Sequence, residues 1–221
     1  MSNNLLVVEN LKHEYNDGQH VTKVLRDINA RFEGGKMYAI VGESGCGKTT
    51  LISLIAGLDR IQDGKIEFNG KDIRKVGIDE WRLKYVNIVF QSFNLIRYMT
   101  ARENVEVALD FSKYKGDEKE RAYELLEKVG ISRKKSDKLI MKLSGGEQQR
   151  VAIARAMAGN DPIILADEPT GNLDENTENK ILELFKMMAD DGKIVIMVTH
   201  SQKVAHDVKA TIYRMKSGVL C

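Results

Sequence analysis

A lysine and threonine behind a glycine run, two adjacent acids ending an apolar stretch, and a second glycine pair behind a serine could do chemistry in this chain. Gly42 to Thr49, GESGCGKT, fits G-x-x-x-x-G-K-[ST] directly after a strand pattern and before an apolar-periodic helix. Glycines let successive backbone N–H groups turn toward an anion, and the helix start adds partial positive charge. Lys48 can reach β- and γ-phosphate oxygens, and the Thr49 hydroxyl can ligate Mg²⁺. A glycine turn without a ligand is the plain alternative. Ile163 to Glu168, IILADE, ends a buried-strand pattern on Asp167 and Glu168, at the edge where open α/β sheets keep their ligand crevice. Asp167 is suited there to hold Mg²⁺, and Glu168 to polarise an attacking water as general base. Two acids on a solvated turn is the alternative, and the phosphate loop weighs against it.

Leu143 to Arg150, LSGGEQQR, reads as an amide-rich helix start without a lysine of its own, an anion site with no resident nucleotide. By itself it could equally be a glycine cap between two helices. Together with the phosphate loop it resembles the ABC ATPases. In that family Ser144, Gly145 and Gly146 would bind the γ-phosphate of ATP held by the opposite subunit. The resemblance implies nucleotide contacts from Gly42, Ser44, Gly45, Cys46, Gly47, Lys48, Thr49 and Thr50, with Tyr15 as the adenine-stacking aromatic. It implies Mg²⁺ held by Thr49, Gln91 and Asp167, and catalysis by Glu168, Gln91 and His200. Gln91 lies in VFQSFNL, where the family senses metal and attacking water; His200 lies in VTHS, where the family bonds the γ-phosphate. GNLD, Gly171 to Asp174, matches the loop that crosses the dimer interface, although Asp174 would also serve as a helix N-cap. GLDR, FQSFNLI, TARENV and DEPTGNLD look like the branch of macrolide exporters, lipoprotein-release and bacitracin-resistance ATPases and a cell-division cassette. Arg97 departs from the proline frequent there.

Strands and helices must position these groups. From Leu5 to Val41 short β-branched and apolar pieces are broken by NDG at Asn16 to Gly18 and by Gly34 and Gly35, which reads as strands joined by turns. A helix follows from about Lys48 to Gly57, and strands are expected at Tyr85 to Phe90, Ile163 to Ala166 and Ile194 to Val198. Buried runs alternating with helices indicate a parallel sheet covered on both faces. Ala122, Leu125, Leu126 and Val129 recur at helical spacing, as do Ile181, Leu184, Phe185 and Met188. The resemblance supplies the fold: α/β, a RecA-like P-loop NTPase core with an N-terminal antiparallel β portion and an inserted helical lobe. One domain is expected over 1–221, with β portion and core at 1–78 and 161–221 and the lobe at 79–160.

At 221 residues the length permits one large domain or a core with an inserted lobe. The formal charge of +2 is spread along the chain, which argues against a dedicated nucleic-acid binder. Two cysteines, Cys46 and Cys221, make no disulfide framework, and the start has no secretory signal, so a reduced intracellular protein is expected. No apolar run approaches a membrane span. His13, His20 and His206 lack metal-ligand spacing, Trp81 reads as packing, and the basic run from Arg133 to Lys138 as a solvated helix connection. The expected function is therefore an ATPase subunit that pairs with a second copy around ATP and Mg²⁺ at the cytoplasmic face and drives a separate membrane permease. DNA-repair or translation ATPases of the same family would need coiled-coil insertions or tandem cassettes. A cell-division regulator would look the same. The apolar segment FQSFNLIRYM, beginning at Phe90, is expected either as a groove for a permease helix or as lobe core.

Overall fold

The computed structural model describes residues 4–170, 175–200 and 210–221. Two strands, β1 (Leu5–Asn16) and β2 (Val21–Glu33), pair antiparallel around the NDG turn; β4 (Asp63–Phe68) adds to the other edge of β1, and the short β5 (Lys71–Asp72) to β4. Leu6 and Val8 on β1 face the core, and so do Leu11 and His13, although these residues have opposite parity. A register shift between Val8 and Leu11, with Asn10 left-handed at φ 50°, inserts the extra residue that turns the second half of the strand back inward.

The second sheet runs β10 (Val219–Leu220), β9 (Thr211–Lys216), β3 (Lys36–Val41), β8 (Ile194–Thr199), β7 (Ile163–Asp167), β6 (Val86–Val89). From β9 to β6 every neighbouring pair is parallel. Every residue of β8 is buried, as both covered faces require. Alternate residues serve two separate cores. Ile164, Ala166, Val195 and Met197 face the helices α4 (Ala101–Phe111), α5 (Glu118–Lys128), α7 (Gly145–Ala158) and α8 (Glu175–Asp190). Ile163, Leu165, Ile194 and Ile196 face α1 (Lys48–Ile55) and the antiparallel sheet. Ala122, Leu125 and Leu126 are buried along α5, with Val129 buried at its C-cap, as are Ile181, Leu184, Phe185 and Met188 along α8. Each large apolar side chain in such a stripe contributes about 1.5–3 kcal/mol by leaving water.

The interval 79–160, expected to be helical lobe, includes structure that belongs to the core. Helix α3 (Ile78–Lys84), which follows the one-turn α2 (Ile73–Val76), sinks Trp81 completely beside α1 and donates its indole N–H to the Ile55 carbonyl at 2.9 Å; β6 is a strand of the large sheet. Helices α4, α5 and α7 of this interval pack on one another. Helical spacing alone does not reveal which neighbour a helix packs against. Strands β4, β9 and β10 were not anticipated; β4 is joined to β1 only through tertiary pairing. The basic run forms α6 (Arg133–Ser136), and its Arg133 pairs with Glu120 and Glu127. No helix among the described residues is long and apolar enough to cross a membrane.

Candidate functional site

Four parallel strands end on the same edge of the large sheet, and each delivers expected site residues there. The loop after β3 carries Gly42 to Lys48, Gln91 follows β6, Asp167 ends β7 with Glu168 next, and His200 follows β8. Register fixes this convergence, since Val41 lies opposite Thr199 and Asp167 opposite Val198. Between them is a cavity of about 650 Å³ lined by Ser44, Gly45, Gly47, Lys48, Thr49, Thr50, Gln91, Asp167, Glu168 and His200, with Val24 of β2 as its apolar wall. Val24 was not foreseen, because nothing in a strand pattern marks which residue will overhang a distant loop.

The loop is built by close approach. A Cβ on Gly42 would lie 2.3 Å from the Met215 carbonyl oxygen and 2.7 Å from Cys46 Sγ, so only glycine fits between β9 and the loop. Gly47 takes φ 109° at the start of α1. No side chain caps this helix and no acid occupies its first turn, which leaves its amide end available to an anion. Lys48 is buried, and its Nζ donates to the carbonyls of Gly42 at 2.9 Å and Glu43 at 2.8 Å, with Cys46 Sγ at 4.0 Å. The ammonium is thus held inside the loop.

Opposite the loop, Asp167 is placed against its own charge. Burial pushes the Asp167 carboxyl up and the neighbouring Glu168 adds to this, while a hydrogen bond from Thr49 and the charge of Lys48 pull it down. Glu168 is left-handed at φ 48°, a conformation that costs about 1–2 kcal/mol for a side-chain-bearing residue, and its N–H donates to the Val198 carbonyl at 3.0 Å. Its Oε2 is 2.7 Å from His200 Nδ1, so the two expected catalytic groups contact each other.

Not every expected residue reaches this cavity. Tyr15 is half exposed on β1, its ring edge-on to His13 at 4.7 Å and its hydroxyl 3.5 Å from Asp59 Oδ2; it does not line the cavity. Cys46 lines an adjoining cavity with Gly42 and Met215. Ser144, Gly145 and Gly146 begin α7 on the helical side of the molecule and are absent from the cavity wall. There Ser144 Oγ accepts from the Glu147 N–H at 3.3 Å, and the Ser144 N–H donates to Glu147 Oε2 at 2.8 Å. The Gly171 to Asp174 loop and His206 lie outside the described residues.

The family profile described as ABC transporter matches residues 25–171, well over half of the chain. The chain is 48% identical over 184 residues to the uncharacterized ABC transporter ATP-binding protein YclH of Bacillus subtilis, covering 82% of this chain and 81% of that one. It is 38% identical over 224 residues to the lipoprotein-releasing system ATP-binding protein LolD of Rickettsia felis, covering 100% and 99%. Among solved structures it superposes on the ATP-binding cassette MJ0796 in a dimeric post-hydrolysis state bound to ADP and Pi, with a TM-score of 0.88 at 37% identity over 97% of this chain and 96% of that one. Its phosphate loop, its LSGG helix start and these likenesses agree that the chain belongs to the ABC transporter family, among the ATP-binding proteins of that family.

Proposed function

We propose that this chain hydrolyses ATP as one of two identical cassettes closed head to tail, and that it drives a separate permease from the cytoplasmic face of the membrane. The observation that carries the reading is the single cavity in which the ends of four strands gather Lys48, Thr49, Gln91, Asp167, Glu168 and His200. Phosphates of the nucleotide lie along the loop from Gly42 to Thr50, where Lys48 exchanges the carbonyls of Gly42 and Glu43 for β- and γ-oxygens. One carboxylate, Asp167, and one hydroxyl, Thr49, with Gln91 nearby, would suit Mg²⁺, a cation that prefers oxygen ligands. Bound there, the cation would offset the charge of the transferred group and of the raised Asp167 carboxyl.

Glu168 takes the proton of the attacking water as its oxygen bonds to the γ-phosphorus and the bridging bond to the β-phosphate oxygen breaks. His200, now 2.7 Å from Glu168, turns to the γ-phosphate when nucleotide enters, which frees the carboxylate. Tyr15 stacks on the adenine from its exposed strand end, beyond the phosphate cavity. Ser144, Gly145 and Gly146 serve the other copy's γ-phosphate, which accounts for their distance from this chain's own cavity. The likeness to a dimeric cassette supports that arrangement, and the likeness to LolD supports work on envelope substrates.

The permease meets the molecule between core and lobe. Leu95 is partly buried against the lobe core, as is Phe93, so the segment from Phe90 to Met99 is in part packing. Beside it, exposed Leu83 and Phe111 flank a cavity of about 520 Å³ between α3 and α4, a better seat for a partner helix. Glu168→Gln tests the reading as a whole. This variant is expected to bind ATP normally, to lose about 10²–10⁴-fold in turnover, and to accumulate as an ATP-bound dimer in size-exclusion chromatography. A monomer that hydrolyses at the wild-type rate would refute it.

A further inference from the structure

The loop after Gln91 contains two consecutive left-handed residues that are not glycine, Phe93 at φ 62° and Asn94 at φ 48°. For a bulky aromatic this conformation is a genuine outlier, and it persists only where the surroundings enforce it. Local bonds from the Phe93 N–H to the Phe90 carbonyl and from the Asn94 N–H to the Ser92 carbonyl shape the turn, and Arg155 of α7 holds it from outside. Its Nη2 donates to the Phe93 carbonyl at 3.0 Å and its Nη1 to the Asn94 carbonyl at 2.6 Å, a fork that needs both carbonyls turned the same way. Among the described residues no carboxylate pairs with this guanidinium. A second clamp holds the far end of the loop. Buried Asn104 of α4 accepts from the Ile96 N–H at 2.8 Å and donates to the Ile96 carbonyl at 3.1 Å. The loop from Phe93 to Ile96 is thereby fastened to the helical lobe, while Gln91 stands in the nucleotide cavity two residues after β6.

We propose that Arg155 is a positioning residue that ties the Gln91 loop to α7, so that occupancy of this chain's own cavity sets how its Ser144 is offered to the other copy. The inference rests on the proposed roles of Gln91 and Ser144. Helix α7 is the rigid arm: Arg155 lies eleven residues beyond Ser144, about 16 Å along the axis. A γ-phosphate that draws Gln91 inward pulls on the carbonyls of Phe93 and Asn94, and the forked guanidinium passes that displacement to α7. Lysine retains the charge but offers no planar fork, so it separates transmission from simple charge loss.

Backbone hydrogen exchange on the chain at concentrations where it remains a single copy, with and without a non-hydrolysable ATP analogue, is the test. In wild type the analogue is expected to slow exchange both in the loop from Glu43 to Thr50 and at the start of α7, from Gln148 to Ala152. In Arg155→Lys only the first protection should remain, and in a Glu168→Gln background the same change should weaken ATP-driven dimerisation about tenfold, within the usual range of coupling between sites. Retention of α7 protection in Arg155→Lys would overturn the inference, as would its absence in wild type, whatever the melting temperatures. Retention in Gln91→Ala would also overturn it, because the signal would then travel by another route. If the analogue gives no protection of the phosphate loop even in wild type, the failure lies in the nucleotide reading itself.

Discussion

Two glycine-rich loops in this molecule each open onto a helix start, and they handle the same backbone physics in opposite ways. At Gly47 the helix α1 has no side-chain cap and no acid in its first turn, and a lysine is folded into the loop. At Ser144 the helix α7 has a complete capping box, with Glu147 in its first turn and Lys135 paired to Glu147. The first loop leaves its amides to an incoming anion, and the second satisfies part of its own. A phosphate that reaches Ser144 must therefore compete with an internal cap, which suits a site that forms only on closure of two copies. The acids beside the loops differ as well: burial raises Asp167 near the first, whereas Lys135 foremost and the Ser144 N–H next lower Glu147 at the second.

The contrast breaks most visibly by exchange between copies. Lys48→Ala deletes the charge proposed to face the phosphates and is expected to weaken ATP binding by about 2–5 kcal/mol, the usual result of truncating one partner of a buried charged pair. Ser144→Arg should bind ATP as wild type does yet fail to hydrolyse it. Mixed together, the two inactive variants should regain turnover, because one intact phosphate loop then meets one intact LSGG from the other chain. Absence of any recovery in a purified mixed dimer would show that the second loop does not act across the pair.

Ser144→Ala sharpens the difference in a smaller way. Loss of the cap should destabilise the chain by about 1 kcal/mol, seen as a melting temperature lower by about 2–4 °C. The first loop has no such cap to lose. An unchanged melting temperature would mean that the Ser144 hydroxyl is not spent on the helix and is free for phosphate without competition.

The smallest effect lies in pH. Because the folded-state carboxyl of Asp167 is raised, its favourable contribution is complete below the unfolded value near 3.8 and is lost as pH climbs through the folded value. Asp167→Asn should accordingly raise the melting temperature of the nucleotide-free chain slightly at pH 7, because solvent screens a partly exposed group, with the gain fading toward pH 4. Glu147 has the opposite sign. Its folded-state value is lowered, so its contribution is present above the unfolded value near 4.5 and is lost as pH falls through the folded one. Glu147→Gln should lower the melting temperature at pH 7, with the loss fading in acid. Parallel pH profiles for the two variants would erase the distinction between the loops.

Contiguous sequence was enough to determine the phosphate loop, the acid pair at a strand end, the LSGG helix start and the amphipathic helices α5 and α8. Each depends on interactions within a few residues: glycine dihedrals, helix-start amides, and the period of an apolar stripe. Only the tertiary structure decided which neighbours those elements meet. Parallel register gathered Gln91, Asp167 and His200 onto one edge; burial against α1 drew Trp81 and α3 into the core; and β4 joined β1 across more than fifty residues. Val24 became a cavity wall, Tyr15 stayed outside it, and Arg155 found two carbonyls sixty residues away for the same reason. Burial and hydrogen bonding over such separations depend on how the whole chain packs, and no local pattern encodes them.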